Sequence, residues 1–325
     1  MKACCISQFG SPEVLTIREL DKPSPSADQV LIRIKAFGLN RAETYMRKGQ
    51  WGEVALVSGI ECVGIIEQDP QNILKQGQKV VALMGGLGRT INGSYAEYTV
   101  VPRLNVIPVD TNLSWPELAA IPETYCTAWY CLHQNLKITE GRTLFIRGGT
   151  SALGLAAINI AKNIEGVKVL ASTRNSGKEK FLHQQGVNQV YIEEENLSER
   201  IRESFPEGLD AVLDLVGNST LIDSLKIANK GGHVCNAGFL GGQAPLSFNP
   251  LIDLPSGVNL NFFASFMFGT VDFPLSDIPF AEILLNVSSG KYKAEPSHVF
   301  GFHQLPDAHR QLESNLSNGK LVVEL

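Results

Sequence analysis

From Thr143 onward, short apolar runs alternate with longer segments of helical period. The runs 143–147, 167–172, 188–192, 209–215, 232–237 and 258–264 read as strands, and segments 153–164, 177–185, 197–204 and 219–229 read as helices between them. Six strands with helices in the gaps is the count of an α/β, doubly wound parallel sheet. The chain before Thr143 is patterned differently. Val30 to Lys35 alternates apolar and polar residues, Ile60 to Glu67 and Lys79 to Leu83 are further strand-like runs, and Asn92-Gly93 turns into a run from Ser94 to Val101. Gly38 to Glu43 reads as a turn into a short helix. Ser114-Trp115-Pro116-Glu117 carries an N-cap, a proline and an early carboxylate, which predicts a helix start, with a break near Pro122.

After Phe268-Gly269 the alternation stops. A helix from Ile278 to Ser288, a β-like run from Ser297 to Phe302, a helix from Leu305 to Leu312 and a last strand from Lys320 to Leu325 are too little for a third domain. The expected organisation is therefore 1–121 as the first part of a β-rich domain, 122–264 as an inserted nucleotide-binding domain, and 265–325 as a return to the first.

Composition narrows the class. The 325 residues are 44% hydrophobic and 19% charged with a net charge of −5, and no Lys/Arg-rich run points to a nucleic-acid partner. No uninterrupted apolar run approaches the length of a membrane span, and the N-terminus lacks the apolar core of a signal peptide, so a soluble cytoplasmic protein is expected. The six cysteines include no C-x-x-C pair and the six histidines no H-E-x-x-H, so neither signals a metal site. Reduced, buried thiols are expected for most of the cysteines.

The candidate chemistry centres on Thr143 to Arg174, a strand, glycine turn, helix and strand within about thirty residues. Its loop, Gly149-Thr150-Ser151-Ala152-Leu153-Gly154, keeps the outer glycines of a G-x-G-x-x-G turn and has Ser151 in the middle place. Small residues before a helix N-terminus bring backbone amides close to a pyrophosphate; a structural turn is the competing reading. No Lys-Ser/Thr pair follows Gly154, which excludes a Walker loop. The second strand ends in Ser172-Thr173-Arg174, with Lys178 one turn on, where an NAD site would carry a carboxylate. Two cations and two hydroxyls suit a 2′-phosphate and favour NADPH, against the alternative that both cations are ordinary surface charges. Gly238 and the adjoining Phe239, at the end of the fifth strand, are expected beside the cofactor. Glu193-Glu194-Glu195 reads as a solvated helix cap.

In order and spacing, several segments resemble the medium-chain dehydrogenase/reductases, specifically the zinc-free quinone oxidoreductase branch. They are Gly38–Gly49, Gly59-Ile60-Glu61-Cys62-Val63-Gly64, Gly77-Gln78-Lys79-Val80, Gly93–Tyr98, Thr127-Ala128-Trp129, the glycine loop, Asp214-Leu215-Val216-Gly217 and Asn318-Gly319-Lys320. The resemblance runs nearly end to end. It implies a Rossmann domain inserted in a GroES-like catalytic domain, a homodimer, and a small electrophilic substrate. Zinc-dependent relatives carry a cysteine at the place of Asn40 and a histidine at that of Ile60; amide and alkyl side chains do not replace thiolate and imidazole around zinc. The resemblance places Asn40 and Tyr45 in the catalytic cleft, Asn40 to orient nicotinamide or substrate and Tyr45 to donate to a developing oxyanion. Without a metal, hydride transfer from NADPH to a quinone or conjugated enone is the chemistry left. Trp51 stands where related enoyl-thioester reductases often have a tyrosine, which lowers that alternative, and Ile192 stands where some relatives place a tyrosine near the 2′-phosphate. A non-catalytic NADPH-binding protein is the alternative from another class. A methyltransferase is disfavoured by the long β-rich half.

Overall fold

The computed structural model describes residues 1–325, which form two compact units. Through residue 123 the strands are β1 (Lys2–Ile6), β2 (Leu15–Glu19), β3 (Gln29–Gly38), β4 (Glu61–Gln68), β5 (Lys79–Leu83), β6 (Tyr98–Pro102) and β7 (Val106–Pro108). The helices of this stretch are α1 (Arg41–Arg47) and α2 (Trp115–Ala119), followed by α3 (Pro122–Tyr130). There follow β8 (Thr143–Arg147), α4 (Ala152–Ala161), β9 (Lys168–Thr173), α5 (Glu179–Gln185), β10 (Gln189–Ile192), α6 (Leu197–Ser204) and β11 (Leu209–Asp214). Next come α7 (Leu221–Ile227), β12 (Ala228–Asn236), α8 (Pro250–Asp253) and β13 (Asn259–Phe262). The chain ends in α9 (Phe280–Ser288), β14 (His298–Gly301), α10 (Leu305–Ser314) and β15 (Leu321–Glu324).

One unit comprises Met1–Glu123, Phe266–Gly290 and Ala294–Leu325. Its main sheet runs β14-β15-β3-β4-β5-β7, with β6 also paired to β3. All pairs are antiparallel except β14 with β15. Strand β3 is central to the sheet, pairing with β15, β4 and β6, and its Val30, Ile32, Ile34 and Phe37 enter the core. Regular pairing with β3 begins only at Tyr98. The expected strand start at Ser94 is diverted toward β1, where Cys4 N donates to the Tyr95 carbonyl and Ala3 bridges Ala96.

The other unit comprises Thr124–Ser265 and Lys291–Lys293. Its six strands lie in the order β10-β9-β8-β11-β12-β13, all parallel, with the order reversing at β8 and β11. Strands β8, β9 and β11 are buried almost throughout, as expected of a parallel sheet covered on both faces. The expected helix 219–229 is shorter and the following strand longer. Helix α7 ends at Ile227, and β12 runs through Gly231, whose positive φ of 86° accommodates the register shift against β11. All six cysteines are free and buried. No helix is long and apolar enough to cross a membrane.

Candidate active site

The turn after β8 shows why its small residues are there. Gly148 has φ 90°, and a Cβ on Gly149 would stand 2.7 Å from the Ala171 Cβ on β9. A Cβ on Gly154 would meet the Gly148 carbonyl at 2.6 Å, so α4 lies directly on the loop backbone. Ser151 caps α4: its Oγ accepts from Gly154 N at 3.0 Å and donates to the Gly148 carbonyl at 2.8 Å. The hydroxyl is thus spent within the loop. Leu155 N donates to the Ser151 carbonyl, which leaves the amides of Ala152 and Leu153, both half-buried, at the open first turn. With Thr150 they are the groups of this turn that could face a pyrophosphate.

Beneath this loop lies a polar floor joining the ends of four neighbouring strands. Arg147, the last residue of β8, is buried and bonds Glu193 through Nε at 2.8 Å and Asp223 through Nη1 at 2.7 Å. Ser172 Oγ donates to Glu193 Oε2 at 2.7 Å and accepts from Gly148 N at 3.3 Å. Asp214, at the end of β11, accepts from Val216 N, Gly217 N, Thr220 Oγ1 and Ser224 Oγ; burial raises its carboxyl despite these donors.

Two expectations change here. Glu193 is not a solvated cap, since its side chain is 13% exposed and committed to Arg147 and Ser172; Glu194 and Glu195 are exposed as expected, Glu194 in a pair with Arg200. Ser172 has one O–H to give and gives it to Glu193, so it has no proton for a phosphate. Thr173 is buried, with Oγ1 bonded to its neighbour Asn175. Arg174 is exposed, and Lys178 is half-buried with its ammonium pKa lowered by that burial. Of the residues expected at a 2′-phosphate, Arg174 and Lys178 are the ones that carry a cation.

Gly238 is where the loop after β12 touches the loop after β11. A Cβ there would meet the Leu215 carbonyl at 2.6 Å, and Asn236 Nδ2 ties the Asp214 carbonyl to that of Gly238. Its glycine serves this backbone contact. Phe239 packs against Phe262, ring centroids 6.0 Å apart, and the next residue, Leu240, lies over Gly148.

In the other unit Asn40 is the N-cap of α1, and Tyr45 lies half-buried on the same helix. Burial raises the Tyr45 phenol, which keeps it protonated and able to donate. Asn40 is embedded between two carboxylates. Glu43 Oε2 accepts from Asn40 N at 2.6 Å, while Glu61 Oε1 accepts from Asn40 Nδ2 at 2.8 Å. Lys320 Nζ lies 2.6 Å from Glu61 Oε1 and donates to Asn40 Oδ1 at 2.5 Å; Glu61 Oε2 accepts from Glu123 N at 2.8 Å.

Behind Asn40, Glu43 also accepts from Ile60 N and Tyr95 Oη, and Tyr95 Oη bonds His309 Nε2 at 2.9 Å. Burial outweighs the backbone hydrogen bonds and pushes the Glu43 carboxyl up to about 7, while burial, with Arg47 nearby, pushes His309 down to about 3. Glu43, Tyr95, His309 and Lys320 escape sequence reasoning because they come from four separate segments that only the fold sets side by side. The one legible hint is Glu43, three residues after the Asn40 cap.

Residues 26–111 match the family described as alcohol dehydrogenase GroES-like domain, and residues 152–280 match zinc-binding dehydrogenase. A quinone oxidoreductase of Mus musculus is 30% identical over 260 residues, covering 77% of this chain and 76% of its own. The chain belongs to the medium-chain dehydrogenase/reductase superfamily. Two solved structures superpose over the whole of both chains. A mycobacterial protein complexed with NADPH has a TM-score of 0.87 at 24% identity, a likeness of fold, and an NAD-dependent alcohol dehydrogenase has 0.84 at 26%. The relatives make this chain an oxidoreductase acting on a small molecule.

The family implies a nicotinamide cofactor and, in part, zinc. The first fits: open amides at α4 and a loop of small residues suit the pyrophosphate of a dinucleotide. Zinc does not fit. The Asn40 oxygen is held by an ammonium, Ile60 offers only alkyl carbons, and no three His, Cys, Asp or Glu side chains are grouped to hold a metal ion.

Proposed function

We propose that this chain reduces quinones or α,β-unsaturated carbonyl compounds with NADPH, without a catalytic metal, as a cytoplasmic homodimer. The observation that carries the reading is the Asn40 amide, clamped between Lys320 and Glu61 at the place of a metal ligand. NADPH supplies hydride when bound. An acceptor that is already electrophilic takes hydride at carbon and moves charge onto its carbonyl oxygen, so the protein needs donors and alignment rather than a Lewis acid. Asn40 Nδ2 has a second proton beyond the one given to Glu61, and the Tyr45 phenol is protonated; these are the donors assigned to nicotinamide and substrate oxygens. Ala152 and Leu153 amides hold the pyrophosphate, and Arg174 with Lys178 the 2′-phosphate.

The homodimer reading draws on β13. It is one of the two rim strands of its sheet, paired only with β12, and exposes Leu260 and Phe262, with Leu251 and Ile252 exposed nearby in sequence. NADPH oxidation measured across simple quinones and conjugated enones, with and without a strong chelator, tests the function. Turnover that the chelator does not change is expected. Tight NADPH binding with no turnover on any acceptor would instead make this a cofactor-binding protein without catalysis.

A further inference from the structure

We infer that Lys320 is the positioning residue of the candidate site: its buried ammonium fixes which edge of the Asn40 amide is presented, in the place where a metal cation would otherwise order the ligands. The inference rests on the assignment of Asn40 to the reaction and adds a residue that assignment does not need.

Lys320 is 5% exposed, Glu61 is fully buried and Asn40 is 9% exposed, so the three groups meet outside bulk water. Lysine is rarely buried in this way unless a specific partner holds it. The backbone is built to bring it there. Val322 on β15 pairs with Gly38 on β3, Leu39 N donates to the Leu321 carbonyl at 2.9 Å, and Ser297 N donates to the Lys320 carbonyl at 2.7 Å. Room for the side chain comes from Gly38. A Cβ there would stand 2.4 Å from Lys320 Cε, 2.6 Å from Glu61 Oε1 and 2.8 Å from the Ala119 carbonyl.

Donor and acceptor chemistry then decides the orientation. Lys320 Nζ can only donate, so it must face Asn40 Oδ1; the Glu61 carboxylate, bound by that ammonium, accepts from Asn40 Nδ2. Flipping the amide would set its N–H groups against an ammonium and its oxygen against a carboxylate. One Nδ2 proton stays uncommitted, in a fixed direction. A divalent ion at Asn40 Oδ1 would have to displace this ammonium, which agrees with the poor fit of zinc.

The structural role of the Lys320–Glu61 ion pair and its positioning role are separable. Lys320→Met strands a buried carboxylate and can simply fail to fold, so the informative variant is Glu61→Gln/Lys320→Met, neutral and without a stranded charge. Two readouts are used. The first is exchange of the Asn40 side-chain amide protons by NMR with nitrogen-labelled asparagine, assigned by their loss in Asn40→Ala. The second is steady-state NADPH oxidation with the best acceptor.

The double variant is expected to keep the wild-type melting temperature and KM for NADPH, to lose about tenfold or more in kcat, and to exchange the Asn40 amide about tenfold faster. In an Asn40→Ala background the same pair of changes should cost no further kcat. The inference is overturned if the neutral variant recovers wild-type kcat, or if its Asn40 amide exchanges as in the wild type. Wild-type protein that binds NADPH but turns over no acceptor defeats the proposed function alone, and the amide exchange still decides the role of Lys320.

Discussion

In the proposed function Arg174 is the residue on which cofactor choice would turn, and the structure isolates it more than its neighbourhood in sequence does. Ser172 gives its only proton to Glu193, and Thr173 is buried against Asn175. A 2′-phosphate would therefore meet an exposed guanidinium, with the Lys178 ammonium as its companion. A hydrogen bond to a charged group is worth about 1.5–3 kcal/mol, roughly tenfold to a hundredfold in affinity. Arg174→Ala is expected to lower kcat/KM for NADPH by about that factor and leave NADH unchanged. Ser172→Ala should lower stability and leave the NADPH/NADH ratio as it was, because that hydroxyl belongs to the floor. Kinetics with both cofactors checks the two variants together. An unchanged ratio in Arg174→Ala would remove the phosphate assignment.

At the scale of elements, the parallel sheet is the most legible part of the chain, since buried strands are apolar throughout and the helices between them keep their period. Strand β8 spans the expected 143–147, and β9, β10, β11 and β13 lie within a residue or two of the runs read from the pattern. What the pattern hid was pairing that depends on distant residues. Ser94 to Glu97 looks like a strand start, yet its partner is β1, and Gly231 looks like a strand boundary, yet β12 passes through it. The candidate site was legible where backbone would make it, at Gly149 to Leu153, and hidden where side chains from remote segments converge. Arg147 closes an apolar strand, Glu193 begins a run of three glutamates, and only the fold sets them together.

Strand β13 supports a prediction at this scale. Its outer edge carries unpaired backbone groups and the exposed Phe262, a surface that pairs readily with a second copy. If the proposed dimer forms through this edge, Phe262→Lys should shift it to monomer in analytical ultracentrifugation without changing its circular dichroism. A wild-type monomer at micromolar concentration would dispose of the dimer.

For the molecule as a whole, the buried chain Glu43–Tyr95–His309 makes stability depend on pH in two opposed ways. His309 is held down at about 3 from its ordinary 6.5, so between those values the unfolded chain binds a proton that the folded one refuses, and this term raises stability as pH rises. Glu43 is held up at about 7 from its ordinary 4.5, so between those values the folded chain keeps a proton that the unfolded one releases, and this term lowers stability as pH rises. From pH 4.5 to 6.5 the two slopes, each about 1.4 kcal/mol per pH unit, cancel. Arg47 and Lys48, both paired with Glu313, act on His309, and Lys320 and Glu61 act on Glu43. Removing either end exposes the other. Relative to wild type, His309→Gln should lose stability as pH rises through this window, and Glu43→Gln should gain it, each by about 1.4 kcal/mol per unit. Urea unfolding at half-unit steps measures both differences. A His309→Gln curve that stays flat through this window would mean that Glu43 is ionised in the native protein and that the three hydrogen bonds to it outweigh its burial.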